Sequence, residues 1–128
     1  MHADEDKINQ VTQAVIGAAF RVGNTLGCGF LEKVYENALA HELRKMGLRV
    51  RQQHPIPVFY DGVRVGKFDC DLLVEERVLV ELKSVRAWDD AHTAQCLNYL
   101  TATRLPLCLL INFGQRVDVK RFANFRPA

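Results

Sequence analysis

The sequence predicts an α/β fold: an αα-hairpin, then a mixed central β-sheet flanked by helices. Three observations carry this. Apolar residues recur every three or four positions from residue 8 to residue 46, as on one face of a helix. From about residue 48 to 85 the pattern shortens to the two-residue alternation of strands. A further helical stretch then separates that region from two more apolar strand candidates, so sheet and helix alternate along the chain. At 128 residues, 48% apolar and 25% charged, the chain suits a single domain (1–128) with a sizeable core.

The first helix begins in the acidic run Asp4-Glu5-Asp6, which suits a helix N-terminus. Its apolar stripe is Ile8, Val11, Val15, Ala19, Val22 and Leu26, widened by Ile16 and Phe20. Gly27-Cys28-Gly29 breaks the period and forms a glycine-rich elbow. A second helix is expected from about Phe30 to Met46, with Gly47 placed to stop it. Leu48–Gln52 and Ile56–Tyr60 are two short strand candidates, the second closed by the Asp61-Gly62 turn signal. From Val65 to Val74, Phe68, Cys70, Leu72 and Val74 are expected on one face and Asp69, Asp71 and Leu73 on the other. Glu75-Glu76-Arg77 turns the chain. The next strand, Val78 to Val85, sets Val78, Val80 and Leu82 against Leu79, Glu81, Lys83 and Val85. Asp89 and Asp90 signal a third helix reaching about Thr103. Leu107–Phe113 and Val117–Phe122 are the last strands, on either side of Gly114-Gln115.

Charge excludes little. Seventeen Lys and Arg against fifteen Asp and Glu give +2, too mild to announce nucleic-acid binding alone. Arg44, Lys45, Arg49, Arg51, Lys67 and Arg86 are candidates to line a phosphate track, or plain solvated surface. No apolar run approaches the ~18 residues of a membrane span, so no membrane partner is expected. The acidic N-terminus is unlike a secretory signal, and a cytoplasmic location is the expectation. Cys28, Cys70, Cys96 and Cys108 are scattered without a C-x-x-C pair. They read as reduced, half-buried apolar residues rather than zinc or iron–sulfur ligands.

The informative residues are Asp71, Glu81 and Lys83. With residues 75–77 as a three-residue loop, Val74 pairs with Val78 and Leu72 with Val80, matching apolar to apolar. Asp71 then opposes Glu81, with Cβ atoms roughly 5 Å apart, a destabilising arrangement for two unaided charges. One reading is a solvent-washed face on which Lys83 screens the pair. The other is a divalent cation between the carboxylates, because Mg²⁺ prefers hard oxygen ligands and keeps several waters. Leu73, Leu79 and Val85 on the same face argue against a washed surface. A nearby lysine beside such an ion is apparatus for hydrolysing a phosphodiester.

The spacing of Asp71 and Glu81-Leu82-Lys83 resembles the signature of the PD-(D/E)XK nuclease superfamily. Gly29-Phe30-Leu31-Glu32-Lys33-Val34-Tyr35 fits G-x-x-E-x-x-Y, and Gln95-Cys96-Leu97-Asn98-Tyr99 fits the Q-x-x-x-Y of RecB-like and lambda-exonuclease-like members. Together they resemble the bacterial GxxExxY protein family, a branch of that superfamily, over nearly the whole chain. The resemblance implies a restriction-endonuclease-like core and Mg²⁺ or Mn²⁺ as cofactor. It implies Glu32, Asp71 and Glu81 as metal ligands, with Lys83 and Gln95 completing the catalytic set. Tyr35 would pack under Glu32, Tyr99 would approach the substrate backbone, and His92, one turn before Gln95, would stand near substrate. Read from spacing alone, Glu32 is a capping residue in a first helical turn. Gln95 and Tyr99 are then a polar helix face, and His92 an exposed histidine. Asp69 shares the site face, either behind the metal ligands or as a competitor for the metal.

The expected function is therefore divalent-metal-dependent hydrolysis of nucleic acid, DNA rather than RNA. Its alternative is a nuclease-fold module that binds nucleic acid or a protein partner without useful turnover. Hydrolysis of another phosphate ester is a third class. A homodimer or a larger protein complex is compatible with either of the first two.

Overall fold

The two helical stripes fold as α1 (His2–Leu26) and α2 (Glu32–Lys45), joined by the glycine elbow. The computed structural model describes residues 2–124. The strands are β1 (Val50–Tyr60), β2 (Val63–Val74) and β3 (Val78–Lys83), followed by α3 (Asp90–Thr103), β4 (Leu107–Phe113) and β5 (Val117–Ala123). The five strands lie in one sheet in sequence order. Only β3 and β4 run parallel, and α3 is the crossover that a parallel pair needs. The sheet is thus mixed, with helices on both faces, as the sequence predicts.

Each face has its own core. On one side α1 and α2 bury Val11, Val15, Tyr35, Leu39 and Leu43 against Leu72, Val74, Val78, Val80 and Leu82, with Leu107, Leu109 and Ile111 of β4. On the other, Cys96, Tyr99 and Leu100 of α3 pack on Ile56, Cys70, Leu73, Leu79, Cys108 and Leu110. Gly47, at φ 81°, ends α2 as expected, its N–H donating to the Arg44 carbonyl at 2.9 Å.

Three expectations need correction. Leu48–Gln52 and Ile56–Tyr60 are parts of one eleven-residue strand, β1. The chain passes between them through Gln53 at φ 52°, a left-handed residue that a pattern of two short strands treats as a gap. Second, the regular alternation assigned to β2 fails. Cys70 faces α3, whereas Leu72 and Val74 face α1 and α2. β1 changes face at the same level, with Val50 on the hairpin side and Ile56 on the α3 side. The paired strands therefore switch faces together, at Gln53 and Asp71. Third, β3 ends at Lys83 rather than Val85. Val85 is held off the sheet by Asn112, whose Oδ1 accepts from its N–H at 2.9 Å and whose Nδ2 donates to its carbonyl at 2.8 Å.

All four cysteines are free; Cys70, Cys96 and Cys108 are buried, whereas Cys28, expected to be half-buried, is exposed on the elbow. Among the described residues no helix is long and apolar enough to cross a membrane.

Candidate active site

β2 and β3 pair as the apolar match requires, Val74 with Val78 and Leu72 with Val80. The ladder stops there. Asp71 does not form the next backbone pair with Glu81; its carboxylate enters the fork between the strands, and Oδ2 accepts the Leu82 N–H at 2.8 Å. A side chain thus replaces the missing ladder bond, which keeps a buried N–H satisfied. The expectation of two carboxylates squarely opposed becomes one of two carboxylates at the mouth of a fork.

Glu81 lies on the α3 side and is 5% exposed. Its Oε1 accepts from the Tyr99 hydroxyl at 3.4 Å, and its Oε2 is 3.7 Å from Lys83 Nζ. Burial, then the Asp71 charge, pushes the Glu81 carboxyl up to about 8, with Lys83 pulling the other way. Asp71 is also raised, chiefly by burial, against the lowering effect of its bonds from Leu82 and Gln53. The two groups repel when both are ionised. They are hard-oxygen donors with one ammonium, Lys83, between two carboxylates, and that leaves the chemistry a divalent cation fits.

The third expected ligand stands apart. Glu32 is exposed on the first turn of α2 and makes no hydrogen bond or ion pair among the described residues. Glu81 senses its charge, as the weakest of the influences on that carboxyl. Among the described residues no three His, Cys, Asp or Glu side chains are gathered so as to hold a metal. The chain as folded offers Asp71 and Glu81 as a pair, with Glu32 near enough for its charge to reach Glu81.

Glu36 and Gln53 are the residues that sequence reasoning missed. Glu36, one turn after Glu32, is 2% exposed and accepts from Lys33 Nζ at 2.9 Å, Gln52 Nε2 at 2.7 Å and Gln53 Nε2 at 2.6 Å. The same Gln53 amide donates to Asp71 Oδ1 at 3.1 Å. It joins helix carboxylate to strand carboxylate and fixes Asp71 from below. The available signal was the i, i+4 repeat Glu32/Glu36 on one helix face. Gln53 carried none, because it sits at the kink.

The G-x-x-E-x-x-Y segment has a concrete role. Gly29 sits at φ 105°, where a side chain is strained. Tyr35 does not simply pack under Glu32. Its hydroxyl donates to the Gly27 carbonyl at 2.6 Å and accepts from the Phe30 N–H at 3.2 Å, pinning the elbow from which Glu32 is presented. The ring stacks on Phe113 with centroids 4.5 Å apart. Tyr35→Phe keeps the stack and strands two backbone groups. Urea unfolding is expected to show a loss of about 1–3 kcal/mol, with faster amide exchange confined to the elbow.

On α3 the outcome is mixed. Tyr99, placed by resemblance near the substrate backbone, is 1% exposed and supports Glu81 instead. Gln95, one turn earlier on the same face, is half-buried and makes no hydrogen bond among the described residues, so its amide is available. His92 has a capping role: its Nδ1 accepts from the Asp89 N–H at 3.3 Å, while Asp89 accepts from Ala91 at 2.9 Å. No bond links it to Asp71, Glu81 or Lys83. Asp69 pairs with Lys67 at 3.2 Å and contributes only its carbonyl to the site, accepting from Tyr99 at 3.5 Å.

The raised Glu81 carboxyl has a sign that can be checked. In the unfolded chain it ionises near 4.5; in the fold it holds its proton to about 8. Stability therefore falls as pH rises between those values, and the loss is complete above the upper one. Glu81→Gln is expected to melt like wild type at pH 4 and to be more stable, by up to a few kcal/mol, at pH 9 in EDTA. An equal effect at both pH values would show that the carboxyl titrates normally.

Comparison of the chain with curated proteins and with solved structures finds no significant match. A family model does match, over residues 9–122: that of the PD-(D/E)XK nuclease superfamily.

Proposed function

The chain belongs to the PD-(D/E)XK nuclease superfamily, and from that premise we propose that it is a divalent-metal-dependent nuclease acting on DNA. The observation that carries the reading is the fork. Asp71, Glu81 and Lys83 converge where β2 and β3 part, in a setting whose burial disfavours the two carboxylate charges. Asp71 and Glu81 would hold Mg²⁺ or Mn²⁺, with Glu32 approaching from α2. Such an ion supplies neutralisation of phosphate charge and a lower pKa for water.

The remaining work falls to the chain itself. Tyr99 keeps Glu81 oriented by donating to Oε1, and Gln53 with the Leu82 N–H keeps Asp71 in the fork. Lys83 places an ammonium beside Glu81, where it can hold the attacking water or offset charge on the phosphate as the ester bond breaks. The Gln95 amide, which makes no hydrogen bond among the described residues, would hold substrate or steady Lys83. The finer assignment, to the GxxExxY branch, is supported by Gly29, Glu32 and Tyr35 and by the part they play at the elbow.

The test is a Mn²⁺ titration with two readouts. The melting temperature should rise with millimolar Mn²⁺, because a ligand bound only by the folded state stabilises it. Labelled single-stranded and duplex DNA and RNA should be cut with Mn²⁺ and left intact in EDTA, DNA faster than RNA. A melt indifferent to Mn²⁺, with no cleavage of any form, would remove the reading in favour of a module that only binds. Gln95→Ala should slow cleavage by about tenfold or more while leaving the Mn²⁺-induced rise in melting temperature intact.

A further inference from the structure

Most of the basic residues that are candidates for a phosphate track are already engaged. Arg44 bonds Gln52 and the Val50 carbonyl, and Lys45, Arg49, Arg51 and Lys67 pair with Glu42, Glu75, Glu76 and Asp69. Arg86 is different. It is exposed and has no hydrogen bond or ion pair among the described residues, and the same holds for Arg116. Both line one groove, a cavity of about 1060 Å³ that also has Gly29, Ser84, Trp88 and Asp118 on its wall.

The groove wall begins one residue beyond Lys83. Ser84 follows Lys83 directly, and its hydroxyl donates to the Phe30 carbonyl at 3.2 Å, tying the end of β3 to the elbow that presents Glu32. The wall is held in place before any ligand arrives, since Asn112 clamps Val85 through both its N–H and its carbonyl. The one carboxylate on the lining, Asp118, is engaged by the Trp88 indole N–H. Lys120 Nζ sits 5.0 Å from the centroid of the same ring. Two free guanidinium groups, an aromatic ring and a rigid wall are the components of a track for one nucleic-acid strand. Its volume lies just above the roughly 300–1000 Å³ of small-ligand sites, room for a short stretch of a strand.

We propose that this groove holds a single-stranded segment of the substrate, with Arg86 and Arg116 on its phosphates and Trp88 against a base, leading the strand to Lys83. The proposal rests on the nuclease reading for the direction of the strand, and it makes unpaired DNA the preferred substrate.

The experiment uses wild-type protein in EDTA, where nothing is cut, and reads the emission of Trp88, the only tryptophan in the chain. Oligo(dT) of about ten nucleotides should quench that emission with the same affinity that fluorescence anisotropy of the labelled oligonucleotide reports. A blunt duplex of equal length should leave it unchanged, and a mononucleotide or inorganic phosphate should act only at concentrations ~100-fold higher. The double variant Arg86→Ala/Arg116→Ala alters two exposed side chains and should fold. Its oligo(dT) affinity should fall about tenfold, and its salt slope should shrink by about 1.4, about 0.7 for each single-strand phosphate left without its arginine. Binding that leaves Trp88 emission unchanged, absence of binding, equal quenching by duplex or mononucleotide, or an unaltered salt slope would each overturn the proposal. No metal or turnover enters this measurement. A failed quench therefore leaves the fork as a candidate catalytic site, and a failed cleavage assay leaves the groove as a strand-binding site.

Discussion

In Lys83→Met, cleavage is expected to fall at least ~100-fold while Mn²⁺ and DNA binding stay near wild-type levels. The ammonium lies 3.7 Å from Glu81 Oε2, and only about a fifth of the side chain is exposed, so water screens its charge poorly. A positive charge in that position acts most on a phosphate gaining negative charge as it reacts, which lowers the barrier more than it strengthens binding. Loss of one such stabiliser ordinarily registers as 10²–10³ in turnover. Methionine keeps an unbranched apolar stem of similar reach, so packing beside β3 should survive. The comparison belongs at pH 9. Without the lysine, Glu81 holds its proton more tightly, and near neutrality Mn²⁺ binding would weaken for that reason alone. Cleavage with Mn²⁺ and equilibrium binding with Ca²⁺ separate the two effects, and turnover within threefold of wild type would take Lys83 out of the chemistry.

Asp71→Asn is expected to lose the Mn²⁺-induced rise in melting temperature entirely, and cleavage on the order of 1000-fold, because the ion's charge stabilisation is worth several kcal/mol. The folded structure should survive. The asparagine oxygen can still accept the Leu82 N–H, while its amide turns toward Gln53. Gln53 then presents its own oxygen to that amide by rotating, at the expense of its bond to Glu36. Without metal, the variant should match or slightly exceed wild type in stability, since a repelling neighbour of Glu81 is gone. A variant that still gained stability from Mn²⁺ would show that the ion sits elsewhere.

Much of this arrangement was readable because it depends on periods and spacings. The helical stripes, the three-residue turn and its register, Asp89 as the start of α3 and the mixed character of the sheet all follow from pattern. The motif residues Gly29, Glu32, Asp71, Glu81, Lys83 and Gln95 also lie on elements assigned correctly in kind. What pattern could not supply is the switch of faces at Gln53 and Asp71, because alternation assumes a continuous pleat. A left-handed residue in β1 opposite a carboxylate in β2 breaks that assumption on both strands at once. Glu36 was hidden because helix periodicity reserves its face for apolar residues, and three hydrogen bonds satisfy the exception. Tyr99 was placed near substrate because its distance from Gln95 says which face it shares, not how deeply it lies.

The turn between β2 and β3 has a consequence for how the gene can change. Glu75 and Glu76 both adopt left-handed φ, at 53° and 57°, and Glu75 is held there by the Arg49 backbone and by Lys7. β3 is also locked in register to β4 along its whole length. A codon gained or lost at residues 75–77 therefore cannot be absorbed by sliding β3. It must displace β2, withdrawing Asp71 from the Leu82 N–H and turning apolar side chains toward solvent. The hairpin end at Asp61-Gly62 also turns through left-handed residues, at 53° and 74°, but the strands there already shift register at Val58 and Phe59 and the tip is exposed, so a change of length leaves Asp71 in place. Length variation among descendants of this gene should accumulate at that tip and be purged from the other turn, so that the two hairpins of one sheet record opposite histories.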